Sequence, residues 1–265
     1  MGYGGGKLRD ITKSAYTHKT AQAYFRYILQ SKGIMAAEII DTKSSQGPSY
    51  SLVACIGGGM SAVALGASLR RWYGIEDIRI FERLAGSGGT WWTNTYPGMA
   101  FLASHGYHQH TNFALGCACD VPSALYQFSF ELNPSWTRTY PPHDEIKAYT
   151  DGVAKKYGLD TKMQFSTEVR RCVWDNETTM WTLHLYDLEK SEEYMHTCKI
   201  LFSASGLLSE PRPCDIPGFE TFKGALFHSS RWDHEVNLKG KNVVVVGNGC
   251  KWLSVRSTTL AVSLR

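Results

Sequence analysis

No apolar run in this chain approaches the roughly 20 residues that a membrane-spanning helix requires. The first residues, Met1–Ser14, are glycine-rich and then charged, without the apolar core of a secretory signal. A one-sided charge is also missing. The formal charge is only +4 over 265 residues, with Lys and Arg scattered, so there is no basic footprint for nucleic acid or an anionic membrane. Cysteine is sparse: seven residues, dispersed and odd in number, which points to reduced thiols in the cytoplasm rather than a disulfide framework. Cys117 and Cys119 form C-x-C, not the C-x-x-C of a redox dithiol. His105, His108 and His110 lie close together but lack a carboxylate at helical spacing, so they are read as no metal site.

What is present suffices for a folded core. Hydrophobic residues make up 43% and charged residues 20%, ordinary values for a soluble globular chain. Aromatic residues reach 12%, which suits packing around a flat ligand. Gly2–Lys7 has the look of a phosphate loop, but its spacing is one residue short, Leu8 replaces Ser/Thr and no strand precedes it. The same segment fails the myristoylation pattern at Gly6.

Residues 1–49 read as an extension with one helix around Thr20–Gln30. The pattern then changes. Ser51–Ile56 is a short apolar run, Met60–Tyr73 a small-residue helix and Ile78–Phe81 a second apolar run, which together form a strand–helix–strand unit. Met99–Gly116 shows no periodicity, and His143–Gly158 reads as helical. Gln164–Trp174, Met180–Tyr186 and Tyr194–Phe202 read as strands of a meander separated by polar turns. Pro211, Pro213 and Pro217 mark a linker, and Asn242–Val246 begins a further strand that runs into Gly247-Asn248-Gly249.

The chemistry starts at Gly57-Gly58-Gly59-Met60-Ser61-Ala62, a G-x-G-x-x-A motif between a strand and a helix. Gly57 permits the tight turn, Gly59 lets the backbone approach a pyrophosphate, and Ala62 allows close helix–strand contact. The phosphate then meets free N–H groups at the positive end of the helix. Glu82 ends the second strand, where a carboxylate can accept hydrogen bonds from ribose hydroxyls. A second pair, Gly88-Gly89, opens the run Thr90-Trp91-Trp92-Thr93-Asn94-Thr95-Tyr96-Pro97-Gly98. Physical chemistry alone leaves two readings of it: another close backbone approach to a cofactor, or a glycine turn flanked by buried aromatics.

Glu82 followed by G-G-T-W and N-x-Y-P-G, then Cys119-Asp120-Val121-Pro122-Ser123 and Leu125–Phe130, resembles the FAD-domain signature of class B flavoprotein monooxygenases. This is the family of flavin-containing and Baeyer–Villiger enzymes. The resemblance implies that Gly89, Thr90, Trp91, Asp120 and Tyr126 lie at the flavin, with Asp120 orienting a catalytic Arg supplied from outside these residues. Phe222-x-Gly224-x-x-x-His228-x-x-x-Trp232-Asp233 resembles the fingerprint of type I Baeyer–Villiger enzymes. There His228 would act in the linker between the FAD and NADP domains. Ala204-Ser205-Gly206 resembles an A-T-G segment of the family. Val243–Gly249, with Gly247 and Gly249, resembles the strand and turn of an NADPH-binding unit.

The resemblance therefore implies an α/β fold: a Rossmann-type FAD-binding domain, in which a parallel sheet is joined by a smaller antiparallel meander. The start of a second Rossmann unit follows. It implies an FAD-dependent, NADPH-using monooxygenase that oxygenates a ketone or soft heteroatom of a small molecule with O2, through a flavin peroxide. The domain limits it suggests are 1–49 (extension), 50–213 (FAD-binding), 214–239 (linker with the fingerprint) and 240–265 (NADP-binding start). The last unit reads as cut short, because Trp252 occupies a position where close packing needs a small residue, and no further strand is expected. On that reading the chain would not oxygenate with NADPH, and an inactive flavin-binding remnant is the alternative. A disulfide reductase is the third reading, against which the missing dithiol argues. Removing Met99–Gly116 restores the uninterrupted pattern Tyr96-Pro97-Gly98-Cys117-Ala118-Cys119-Asp120. Gly98-Met99 and Leu115-Gly116 permit codons with GT and AG edges in one phase, and Cys250–Trp252 permits a further donor, as a retained, fungal-type intron would leave.

Overall fold

The computed structural model describes residues 49–96, 117–208, 210–211, 214, 216–238 and 240–247, and the backbone of 261–264. The expected N-terminal extension and its helix, the Met99–Gly116 segment, Gly249 and Trp252 lie outside the described residues.

Strand β1 (Ser49–Ile56) is apolar on both faces, and Val53, Ala54 and Cys55 are fully buried. A strand buried on both sides belongs in the middle of a parallel sheet. It lies between β2 (Ile78–Phe81) and β6 (Glu192–Ser203) and is parallel to both. The short β3 (Met163–Gln164) extends the sheet beyond β2. On the other side β6 is antiparallel to β5 (Met180–Asp187), which is antiparallel to β4 (Thr167–Asp175). The order is β3-β2-β1-β6-β5-β4.

The parallel unit and the meander expected from the sequence are both present, and they share a strand. The first half of β6, Glu192–Cys198, pairs with β5, while His196–Ser203 pairs with β1. Its 12 residues are long enough to serve both neighbours. The run expected as a single strand over Gln164–Trp174 divides into β3 and β4. The break falls at Ser166, whose φ of +50° turns the chain out of extended geometry. Its N–H donates to the Leu84 carbonyl at 2.9 Å, and its carbonyl accepts from Leu188 at 2.8 Å.

Side chains alternate across β1. Val53 and Cys55 face helix α1 (Met60–Ser68) and helix α3 (His143–Lys156), whereas Ala54 faces Phe81, Leu183, Leu185 and Cys198. Helix α1 presents only small residues to the sheet, among them Ala62, Val63 and Ala67, all fully buried. It passes into a single π turn, Leu69–Tyr73, capped by Gly74 in the left-handed region. In α3 the buried positions Ile146, Thr150, Val153 and Ala154 recur every three or four residues and form one face. Asp144 and Glu145 in its first turn and Lys155 and Lys156 in its last complement the helix dipole. Among the described residues no helix is long and apolar enough to cross a membrane.

One expectation is corrected at the C-terminal end. The sequence predicts no strand after Val246, yet β7 (Val243–Val246) pairs in parallel with β8 (Ala261–Leu264) over four positions. Four residues are too few for periodicity to reveal a strand. Parallel pairing is decided by a partner distant in sequence, not by the segment's own pattern.

A buried histidine links β1 to β6. The Ser51 hydroxyl donates to the Val53 carbonyl at 2.7 Å, so it accepts from His196 Nε2 at 2.8 Å. Nδ1 is then left to accept from the Ser49 hydroxyl, also at 2.8 Å. Burial, aided by the charge of Arg79, lowers the His196 pKa from 6.5 to about 4. Between those values the unfolded chain holds the extra proton, so stability is complete above pH 6.5 and falls as pH falls towards 4. A loss of about 3 kcal/mol is expected over that window, at roughly 1.4 kcal/mol per pH unit. Urea unfolding at a series of pH values should show this slope in the native chain and not in His196→Gln. The same slope in both would assign the acid sensitivity to other groups.

Candidate functional site

The first glycine turn lies at the C-terminal edge of β1, β2 and β6. Gly57 N–H donates to Phe81 O, and Ala204 N–H donates to Ile56 O, each at 2.8 Å, so both neighbouring strands hold the end of β1. Gly57 has φ +99°, and a Cβ placed there would lie 2.5 Å from the Ala204 carbonyl oxygen. Both the torsion and the crowding require glycine. Gly59 caps α1, with no side chain bonded across the cap. The first N–H groups of the helix thus open onto the turn. A Cβ at Gly59 would be 3.7 Å from Gly89 Cα, an ordinary contact, so neither torsion nor crowding within the protein requires glycine there.

Glu82 stands at the end of β2 as the sequence predicts and is nearly buried. One carboxylate oxygen accepts from Gly58 N–H at 2.6 Å and the other from Leu84 N–H at 2.8 Å. A carboxylate has about four acceptor sites, so Glu82 can tie down the turn and still receive hydroxyl donors.

The second glycine turn docks on the first. Gly88 N–H donates to Gly58 O at 3.1 Å, and a Cβ on Gly89 would be 3.3 Å from Gly59 Cα. Gly88 and Gly89 both have positive φ, +112° and +54°. The close approach made by this turn is therefore to the first glycine turn. It leads into the single-turn helix α2 (Thr90–Thr93). Trp91 is buried, and its indole N–H donates to the Tyr126 hydroxyl at 3.0 Å, with the rings edge to face at 5.4 Å. Burial pushes the Tyr126 hydroxyl above its usual range against that hydrogen bond, and the nearby charge of Asp120 adds to the rise. Asp120 itself is exposed. Thus Gly57, Gly59, Glu82, Gly89 and Thr90 share one edge, and Trp91, Tyr126 and Asp120 group beside it.

The fingerprint segment reaches this group through its tryptophan. Trp232, with Val245 of β7, packs against the cluster of Trp91, Tyr96, Cys117, Cys119 and Ile146. His228 acts within its own turn: Nδ1 accepts from Ser230 N–H at 3.1 Å and lies 2.8 Å from the Ser230 hydroxyl, capping the 3-10 turn Ser229–Arg231. Gly247, with φ +121°, closes β7. Sequence reading missed the long-range ties. His234 Nε2 meets the Thr95 hydroxyl at 2.8 Å, and Glu210 bridges Arg83 and Arg231. On the other side of the glycine turns, Ser87, Lys147 and Asp151 form a cluster. Only Lys147 and Asp151, four residues apart on α3, are signalled by local spacing; the other pairs are not.

Residues 51–262 match the family described as flavin-binding monooxygenase-like. The chain is 39% identical over 203 residues to a Baeyer–Villiger monooxygenase of Streptomyces coelicolor, covering 77% of this chain and 34% of that protein. It is 40% identical over 197 residues to a Baeyer–Villiger monooxygenase of Pseudomonas aeruginosa, covering 74% and 33%. Among solved structures it is similar to a cyclohexanone monooxygenase from Rhodococcus sp. Phi1 bound to NADP+. That match has a TM-score of 0.61 and 29% identity, over 77% of this chain and 34% of the other. The chain spans about a third of the length of the curated relatives it matches.

Proposed function

Because this chain belongs to the flavin-binding monooxygenase-like family, we propose that it carries the FAD-binding face of an FAD-dependent, NADPH-using monooxygenase. The observation that carries the reading is the stacking of two glycine turns on an uncapped helix N-terminus, with Glu82 at the neighbouring strand end. Free N–H groups and a cradle that a Cβ would fill suit a pyrophosphate.

On this reading the backbone of Gly57 and Gly59 faces the pyrophosphate, Ala62 lets α1 approach β1, and Glu82 accepts from the ribose. Gly89 and Thr90 contact the cofactor from the second turn. Trp91 and Tyr126, packed edge to face, form an aromatic wall that excludes water from the flavin ring, and their mutual hydrogen bond fixes its shape. Asp120 orients a cationic side chain at that edge. Gly247 and Gly249 belong to the NADPH side, and the turn capped by His228 carries Trp232 between the two. Bound FAD would supply the reduction by NADPH and the reaction with O2 that oxygenates a small-molecule ketone or heteroatom. The proposed limits are 50–213 for the FAD unit, 214–239 for the linker and 240–265 for the NADPH side. A cytoplasmic setting agrees with the buried thiols of Cys55, Cys119 and Cys198, which form no disulfide among the described residues.

The test is flavin uptake. The wild-type chain is expected to take up FAD. Gly59→Val places a branched side chain in the cradle at no backbone cost, since its φ is ordinary. Glu82→Ala removes a charged acceptor, for which hydrogen-bond energies of roughly 1.5–3 kcal/mol predict a tenfold or greater loss of affinity. Flavin absorbance and fluorescence quenching read both. Equal flavin content in all three proteins sinks the site assignment.

A further inference from the structure

The cluster on α3 beside the second glycine turn is not part of any motif. Asp151 accepts from the Ser87 hydroxyl at 2.5 Å with one carboxylate oxygen and from Lys147 Nζ at 2.5 Å with the other. Lys147 and Asp151 are four residues apart and share a helix face. The Lys147 ammonium also lies over the Trp92 ring, 5.1 Å from its centre. A Cβ at Gly88 would be 3.4 Å from the Lys147 stem, and one at Gly86 would strike the Trp92 ring at 2.3 Å. Hence Ser87 and Gly88 meet α3 directly, and Gly86 meets Trp92, over which Lys147 lies. On the opposite side Gly88 donates to Gly58.

We infer that Lys147 and Asp151 are positioning residues for the dinucleotide site: they clamp the Gly86–Gly89 turn against the first glycine turn, so that Gly89 and Thr90 meet the cofactor already ordered. This rests on the FAD reading given above. Ordering the turn before binding removes that entropic cost from the association. Surface ion pairs contribute little by themselves. This one differs because it is joined to a hydroxyl of the turn and to an aromatic face packed on its glycine.

FAD affinity, measured by fluorescence titration of the 265-residue chain, tests the clamp alongside the thermal midpoint of the FAD-free protein. Asp151→Ala and Ser87→Ala are each expected to weaken FAD binding about tenfold, as loss of a charge-assisted hydrogen bond predicts. Ser87→Thr, which keeps the hydroxyl, should restore it. Lys156→Met breaks the 2.6 Å ion pair to Glu131 at the far end of the same helix and should leave affinity unchanged, with little change in the thermal midpoint because that pair is exposed. If Asp151→Ala does not fold, the two Ser87 variants decide. Wild-type affinity in Ser87→Ala, or an equal loss in Lys156→Met, overturns the clamp and leaves the FAD reading intact. No FAD uptake by the wild-type chain overturns the FAD reading and the clamp with it.

Discussion

Gly57→Ala is expected to destabilise the chain by several kcal/mol. Two costs combine at this position. The φ of +99° lies where a side chain is strained, at about 1–3 kcal/mol. The new Cβ would also lie 2.5 Å from the Ala204 oxygen and 2.9 Å from its carbonyl carbon. These are backbone atoms fixed by the Ala204–Ile56 hydrogen bond, so relief requires β1 and β6 to part, and such overpacking costs roughly another 1–3 kcal/mol. Against a total stability of about 5–15 kcal/mol, this is a large fraction. Gly74→Ala is the control. Its φ of +67° is also positive, but nothing lies within 4 Å of the added Cβ, so it should cost only the torsional part, about 1–2 kcal/mol. Urea midpoints of the two variants give the comparison. Equal losses would mean that crowding at Ala204 contributes nothing.

Deleting Met99–Gly116 is expected to stabilise the protein. The described chain on either side of this segment is joined by a hydrogen bond: Cys117 N–H donates to Tyr96 O at 2.9 Å. With the deletion, Tyr96-Pro97-Gly98-Cys117 becomes four consecutive residues, and that same contact becomes the first-to-fourth hydrogen bond of a β-turn. Pro in its second position and Gly in its third are the residues a type II turn favours. Both ends are also anchored by described residues. Tyr96 and Cys117 are buried in one cluster, Cys117 O accepts from His143 N–H at 2.7 Å, and Cys119 N–H donates to Pro141 O at 2.9 Å. Closing the gap with two residues instead of twenty saves about 2 kcal/mol of loop entropy, which for a domain of this size raises the melting temperature by about 4–8 °C. A lower melting temperature in the shortened chain would show that 99–116 contributes contacts of its own. Sequencing the transcript tests the proposed origin separately: a spliced message that still encodes 99–116 rules out a retained intron, whatever the melting temperature.

The strand–helix–strand unit was legible in the sequence because its determinants are local. Ile78–Phe81 was bounded to the residue, and the helix beginning at Met60 follows from small residues at helical spacing after three glycines. Glu82 was placed by the same logic, as the polar residue that ends an apolar strand. The partners of these residues were not legible. Nothing near Gly57 announces that Ala204 forbids it a side chain, since they are 147 positions apart. Nor does the motif around Glu82 show that its carboxylate already holds Gly58 and Leu84. Trp91 and Tyr126 were each assigned to the flavin edge, yet their mutual hydrogen bond is a product of packing. The fingerprint was read through His228, and the packing of its Trp232 on the cluster is a contact the motif does not announce.

The sequence by itself determined the strand–helix–strand unit, the helix at His143 and the strands of the meander to within a break, where the backbone must turn on glycine, and where a carboxylate ends a strand. Periodicity, torsional freedom and charge act within a few residues, and one chain carries that information without its fold. Tertiary structure alone decided that β6 joins the meander to the parallel sheet, that β8 pairs with β7, that α3 grips the second glycine turn through Ser87, and that Cys117 N–H donates to Tyr96 O across the segment between them. Each of these is a contact between residues distant in sequence, chosen by how whole elements pack, and no local pattern encodes which distant surface an element will meet.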